Sequence, residues 1–322
     1  MRYNVPYKIK QFLFVLIKLS IVVVAFCFMY SKIVQNENLE FNKFVAFLNK
    51  NDVFSLKNSL ILILLSSFNW FFEILKWQHL VTILKPISFK SALEQSLGGL
   101  TVSLITPNRI GDYGAKAIYY TKTYRTKIVL LNLLGNMAQM TITMVLGAIG
   151  FILFINSYPI GINYNKAVGI GAIILLIGLV IFYVMTQKRF KIKGFSLVFI
   201  IDFIKSIPLK THGLNLSLSL IRYLIFSFQF YYLLSVFGVT ISYVDAMIVI
   251  TSMYVLASIV PTISIFDVVV KGSIAMFLFS YLDVNEFIVL STTTLMWLLN
   301  FVIPSIFGSY FVLNFKLPKP IE

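Results

Sequence analysis

Residues Ile128–Asn165 read IVLLNLLGNMAQMTITMVLGAIGFILFINSYPIGINYN, with no Asp, Glu, Lys or Arg between Lys127 and Lys166. About 20 apolar residues span a hydrocarbon core of about 30 Å, so this stretch holds a transmembrane helix. The same charge-free character returns between Lys166 and Lys188, between Asp245 and Asp267, and between Glu286 and Lys316. Over the whole chain 59% of residues are hydrophobic and only 12% charged, with a mean hydropathy of +0.89. These values exclude a soluble fold and predict an all-α polytopic membrane protein. We expect a single integral domain over residues 1–322, with about seven or eight transmembrane helices plus two proline-broken re-entrant elements, at about 91–120 and 243–282.

The formal charge of +15 belongs to the membrane surface rather than to nucleic acid, because the basic residues sit between apolar runs, where positive-inside topology places them. Arg2, Lys8, Lys10 and Lys18 put the N-terminus on the cytoplasmic side. A retained first helix, about Gln11–Tyr30, then runs outward, since its apolar run exceeds a signal h-region and no A-x-A-like site follows. Residues Ser31–Lys57 read as an external amphipathic connection. Further crossings are expected at about Leu56–Trp77, Ile128–Phe154, Ala167–Thr186, Leu214–Phe237 and Glu286–Leu313, with Phe195–Ile207 along the cytoplasmic interface. Lys316 and Lys319 put the C-terminus inside as well.

The two broken elements carry the most informative charges. SLITPNRIGDYGAK (Ser103–Lys116) and SIVPTISIFDVVVK (Ser258–Lys271) each contain a proline, Pro107 or Pro261, that interrupts an apolar segment. Each then has an acid and a base at i, i+4, Asp112/Lys116 or Asp267/Lys271, which share one helical face. The proline-to-acid spacing differs by one residue between the two. A charge at bilayer depth costs roughly 2.5–3.5 kcal/mol on insertion scales, so such residues face a bundle interior or a hydrated cavity and are paired. Broken, charged segments in corresponding halves of a membrane protein point to a transport site near the midplane. The charge topology opens the two elements toward opposite faces, as an inverted repeat would.

Other polar positions fall on helical stripes. Asn69, Glu73, Lys76 and Leu80 lie at i, i+4, i+7 and i+11, flanked by Trp70 and Trp77. Lys76 and Trp77 read as a snorkelling lysine and an aromatic-belt residue, whereas Glu73 sits a turn deeper. Asn132, Asn136, Gln139 and Thr143 form a second stripe, either helix–helix packing or a cavity wall. Arg222, with Gln229 two turns further, reads either as a snorkelling residue or as a guanidinium fork for a headgroup phosphate. In the first broken element Arg109 and Lys116 flank Asp112, and Gly111 and Gly114 permit close backbone approach. A helix start beside cationic side chains favours an anion such as a lipid phosphate. Candidate substrate-binding residues are therefore Asn69, Glu73, Lys76, Arg109, Asp112, Lys116, Asn136, Arg222, Asp267 and Lys271, with Pro107, Gly111 and Pro261 as structural breaks.

Enzymatic signals are weak. The chain has no Walker loop, nucleophile elbow or H-E-x-x-H sequence, so no catalytic residue is assigned. One cysteine, Cys27, and two histidines, His79 and His212, leave no material for a metal site, and no cofactor is expected.

TPNRIGDYGAK, following an apolar helix with Gly98 and Gly99, resembles the signature of the lysylphosphatidylglycerol synthase transmembrane-region family, also called flippase-like. There the pattern is T-P-x-R-x-G-E followed by a basic residue. The Asn69…Glu73…Lys76-Trp77…Leu80 stretch, the later proline-broken element with an acid, and the length of the chain also fit. Asp112 and Lys116 stand where Glu and Arg are usual, and SIFD replaces the glycine-rich approach to the second acid. The resemblance implies a bacterial cytoplasmic-membrane protein, without a soluble synthase domain, whose relatives include the flipping domain of the multiple peptide resistance factor. That domain moves lysylphosphatidylglycerol between leaflets. The expectation for this chain is a lipid translocase whose partner is a membrane lipid with an anionic or zwitterionic headgroup. A membrane-embedded aminoacyl or glycosyl transferase and a non-transporting membrane partner are the alternatives. The oligomeric state stays open, a homodimer included.

Overall fold

The computed structural model describes residues 41–104, 106, 109–159, 191–192, 195–259 and 264–316, with Leu16, Leu19, Ser20 and Val23; for Phe41, 191–192, 195–197 and 264–269 it describes the backbone alone. The expected first crossing, apart from those four residues, the crossing at Ala167–Thr186, Cys27, and the prolines Pro107 and Pro261 lie outside the described residues.

Helices dominate, as the composition requires. In chain order they are α1 (Phe41–Lys50), α2 (Leu56–Val81), α3 (Phe89–Leu104), α4 (Ile110–Ile118), α5 (Lys122–Ser157), α6 (Leu197–Ser206), α7 (Leu209–Val236), α8 (Tyr243–Ile259), α9 (Ser264–Phe279), α10 (Glu286–Trp297) and α11 (Ile303–Asn314). A short antiparallel pairing of Lys191–Ile192 with Phe195–Ser196 is the one strand pairing among the described residues. Among the described residues four helical units are long and apolar enough to cross a bilayer: α2, α5, α7 and the continuous Glu286–Asn314 rod that joins α10 to α11. The shortest of them has 26 residues, roughly 39 Å at 1.5 Å per residue, which exceeds the hydrocarbon thickness.

Local signals set the boundaries. Ser55 caps α2 by accepting from the Asn58 N–H at 3.4 Å, and Asn285 caps α10 by accepting from the Phe287 N–H at 2.8 Å. The connection before α2 is amphipathic as expected. Phe44 and Leu48 on α1 enter the core while Lys43 and Lys50 stay exposed.

The first broken element is a pair of short helices. Its limbs have 16 and 9 residues, about 24 and 13 Å long, so neither spans the hydrocarbon core alone. The second pair, α8 and α9, has 17 and 16 residues. α4 folds against α3 and rests on α5, α3 runs along α11, α2 along α7, and α5 along α8.

Two large apolar clusters, with a smaller one of Leu104, Trp297 and Val302, hold the bundle among the described residues. One gathers Phe154, Phe230, Leu233, Ile250 and Phe279 from α5, α7, α8 and α9; the other gathers Trp77, Val81, Ile128, Leu131 and Ile207 around α2 and α5. Outward faces are also apolar, including Ile63 and Leu64 on α2, Ile149 and Ile152 on α5, and Phe307 on α11. With lipid as apolar as leucine, helix association must come from packing and from interhelical hydrogen bonds, and the latter concentrate in one place.

Candidate functional site

Two polar clusters face each other across a cavity of about 340 Å³. The first is built on α2 and α7. Glu73 Oε2 takes the Lys76 ammonium at 2.7 Å and also pairs with Arg222 Nη1. Arg222 uses Nε to reach both the backbone and side-chain oxygens of Asn69, each at 3.1 Å, and Nη1 also reaches Gln139 Oε1 at 3.3 Å. The stripe geometry explains the set. Asn69, Glu73 and Lys76 share one face of α2, and α7 lies along it, so a single guanidinium spans two turns of its neighbour.

The second cluster is built on α4 and α5. Asp112 Oδ2 takes Lys116 Nζ at 3.1 Å, and Asn132 bridges them, donating to Asp112 at 2.7 Å and accepting from Lys116 at 2.9 Å. Lys116, whose side chain is only 3% exposed, also lies over the Trp77 ring at 4.5 Å. Asp112 sits in the first turn of α4 and Lys116 in its last, matching the helix dipole at both ends. Gly99 on α3 lets Asp112 come close, because a Cβ there would collide with the carboxylate. Gly111 has the same role, since a Cβ would lie 2.6 Å from the Val102 carbonyl oxygen. Gly114, also expected to allow close approach, faces open space instead.

Arg109 precedes α4 in the left-handed conformation, with φ 56° and ψ 28°, uncommon for a residue with a side chain. Its guanidinium lies over the Phe301 ring, 4.4 Å from the centroid. Backbone strain of this kind persists where surrounding structure fixes it, and is often found at functional positions.

Asn300 closes the far wall. It accepts from Asn69 Nδ2 and donates to Gln229 Oε1, both at 2.9 Å. Residues Leu298–Val302 form a π-helical turn between α10 and α11, and Pro304 explains it. Proline has no N–H for the carbonyl four residues back and clashes with it, so Asn300 O is released from the helix ladder. Trp70 Nε1 takes that oxygen at 3.0 Å, and Ser66 Oγ takes the neighbouring Leu299 O at 2.6 Å.

The cavity is lined by Asn69, Glu73, Arg109, Asp112, Lys116, Asn136 and Arg222, together with Trp70, Tyr113, Gln139, Asn300 and Phe301 among others. Asn136 donates to the Tyr113 hydroxyl at 2.9 Å.

The family model described as the lysylphosphatidylglycerol synthase TM region matches residues 15–308, nearly the whole chain. The chain belongs to that family. No curated protein and no solved structure matches it. Membership makes this a multi-pass membrane protein of a family linked to lipid modification or flipping.

Against the sequence expectations, seven of the ten candidate residues of this family member line one cavity. Lys76 lies just behind it, and its expected snorkelling is corrected: its side chain is 3% exposed because Glu73, one turn back, holds it inside. Trp77, expected in an interfacial belt, is fully buried and donates to Gln95 Oε1 at 2.9 Å. Arg222 likewise turns inward to Glu73 rather than toward a surface. Of the second stripe, Asn136 and Gln139 reach the cavity while Thr143 bonds back to its own helix at Gln139 O.

Lys271 is not brought to this cavity. It lines a separate, mostly apolar pocket with Phe230, Met253, Tyr254 and Trp297, and Phe301 is the wall common to both. The Asp267 side chain lies outside the described residues, as do Pro107 and Pro261. Asn300 and Phe301 were missed by sequence reasoning, although an asparagine four residues before a proline in an apolar run was the available signal.

Proposed function

We propose that this chain moves a phospholipid, or a related lipid-linked headgroup, between the leaflets of a bacterial cytoplasmic membrane, with both termini on the cytoplasmic side. The observation that carries the reading is the polar cavity of about 340 Å³, lined by charges from α2, α4 and α7, inside a bundle whose outer faces are apolar. The headgroup occupies that cavity, contacted by Arg109, Lys116 and Arg222, with Asn69, Asn136 and the Glu73/Lys76 and Asp112 carboxylate pairs shaping it, while the acyl chains remain in the bilayer. In this reading α3/α4 and α8/α9 are re-entrant limbs of an inverted repeat, Lys271 supplies the second half's contribution from the adjoining pocket, and Asp267 is a further substrate-binding residue. Short limbs that end in the membrane let a polar headgroup cross without exposing backbone to lipid.

The test is lipid movement in proteoliposomes carrying an acyl-labelled phospholipid, read by quenching of the outer leaflet. The wild-type chain should accelerate equilibration. Arg109→Ala should slow it at least about tenfold, the value of one lost charge-assisted contact, while the protein stays folded. A wild-type rate equal to that of empty vesicles would refute the proposal. A covalent lipid product formed from a soluble donor would favour a transferase instead.

A further inference from the structure

Three elements each turn one face to the polar cavity and another to a second space beside it. On α3, Ser96, Leu100 and Ser103 line the cavity, whereas Leu93 and Leu97 line a groove of about 170 Å³. On α2, Asn69 and Glu73 belong to the cavity, and Ile63, Ser67 and Ile74 to the groove. At the π-helical turn Asn300 lines the first and Leu299 the second. Helical periodicity produces such a split, because positions three or four apart share a face that their neighbours do not. Trp70 lines both spaces. The groove lies where α2 meets the last crossing at its π turn, while α11 continues along α3. Ile303 and Phe307 complete the wall and, like Ile63, are exposed, so the groove opens on the apolar outer surface. Among the described residues no charged side chain lines it.

We infer that this groove seats an acyl chain of the lipid whose headgroup occupies the cavity, with Trp70 at the junction of headgroup and chain. The inference deepens the translocation reading and rests on it for the headgroup's place. Continuity with the cavity, rather than apolar character, fixes the occupant. Bilayer chains are as apolar as leucine, so the groove gains almost nothing by drawing a chain out of the bilayer. A chain tethered to a headgroup that the cavity holds is kept there by the headgroup's polar contacts. An indole suits the junction, since it joins an apolar body to one polar edge. Trp70 Nε1 donates to Asn300 O at 3.0 Å, the carbonyl that Pro304 releases, and Pro304 itself lines the groove. The proline that frees the carbonyl therefore holds in place the ring that divides the two compartments.

The test is photo-crosslinking of the full chain in phosphatidylcholine nanodiscs, with the labelled positions mapped by mass spectrometry. Two probes carry the same diazirine on one acyl chain: phosphatidylglycerol, and a diacylglycerol that lacks the phosphate. Labelling at Ile303 and Phe307 is divided by labelling at Ile149 and Ile152, which face outward on α5. That ratio should be at least about tenfold higher for phosphatidylglycerol, the effect of one charge-assisted contact to its headgroup. Ser67→Trp, at an exposed position, fills the groove and should abolish the excess; Ile63→Trp, also exposed, replaces it if the first variant does not fold. Equal ratios for the two probes overturn the inference, by making the groove a place for ordinary bilayer lipid. An excess that survives in a folded, filled variant overturns it as well. A phosphatidylglycerol excess in the groove without lipid movement in vesicles would refute translocation and leave the chain site standing. Lipid movement with equal ratios would do the reverse.

Discussion

Replacing Glu73 with glutamine removes one charge and almost no volume, which makes it the sharpest probe of the α2–α7 cluster. In the native chain that carboxylate neutralises Lys76, 3% exposed, and Arg222, 18% exposed. The amide retains a hydrogen-bond acceptor but removes the one acid that pairs with both cations among the described residues. Breaking a buried ion pair by deleting one partner costs about 3–5 kcal/mol, because the other charge is stranded. At about 2 °C per kcal/mol for a chain of this size, Glu73→Gln should melt roughly 6–10 °C below wild type. Adding Lys76→Met removes the stranded ammonium and should recover most of the loss, so the two changes should be strongly non-additive. The assay is thermal unfolding in detergent, followed by the loss of monodisperse protein. A single-variant shift under about 2 °C, or no recovery in the double variant, would refute the claim that Glu73 holds a buried lysine in place.

Other consequences follow from the same geometry. Gly99→Val drives a side chain into Asp112, and should cost about 1–3 kcal/mol in thermal stability while weakening lipid retention. Trp70→Phe removes the donor to Asn300 O and should cost about 0.6–2 kcal/mol with Pro304 present. With Pro304→Ala, which returns an N–H to that carbonyl, the same change should cost almost nothing, as a double-mutant cycle would reveal. Asn132→Leu strips two hydrogen bonds from the Asp112/Lys116 pair and should lower stability by about 1–3 kcal/mol in the same melting assay. Asp267→Ala should abolish lipid movement in vesicles without changing the yield of folded protein.

Much of the site could be read from the sequence because helical periodicity maps spacing onto faces. Asn69/Glu73/Lys76 on one helix and Asn132/Asn136/Gln139 on another were legible as stripes, and both stripes contribute to the cavity. Spacing does not say which way a stripe points. Lys76 and Trp77, near the end of their helix, had the composition of an interfacial belt, yet both turn inward, because α2 continues to Val81 and carries them into contact with α3, α4 and α5. Arg222 was ambiguous for the same reason, and only the proximity of α7 to Glu73 decides it. Asn300 escaped notice because the last crossing carries no charge to attract attention. Its importance comes from a tertiary consequence of Pro304: a released carbonyl that an indole 230 positions earlier in the chain satisfies. The repeated Pro/Asp/Lys pattern suggested that both acid–base pairs meet in one pocket, but Lys271 lies beyond the Phe301 wall. Similar local spacing in two halves does not fix where each half's side chains end up.

The most direct measurement is a structure of the full chain in nanodiscs containing phosphatidylglycerol. The account predicts phosphate density inside the cavity, about 3 Å from the guanidinium or ammonium nitrogens of Arg109, Lys116 or Arg222, with acyl chains leaving toward the bilayer. Headgroups found only around the outer surface, with the cavity holding water alone, would contradict it.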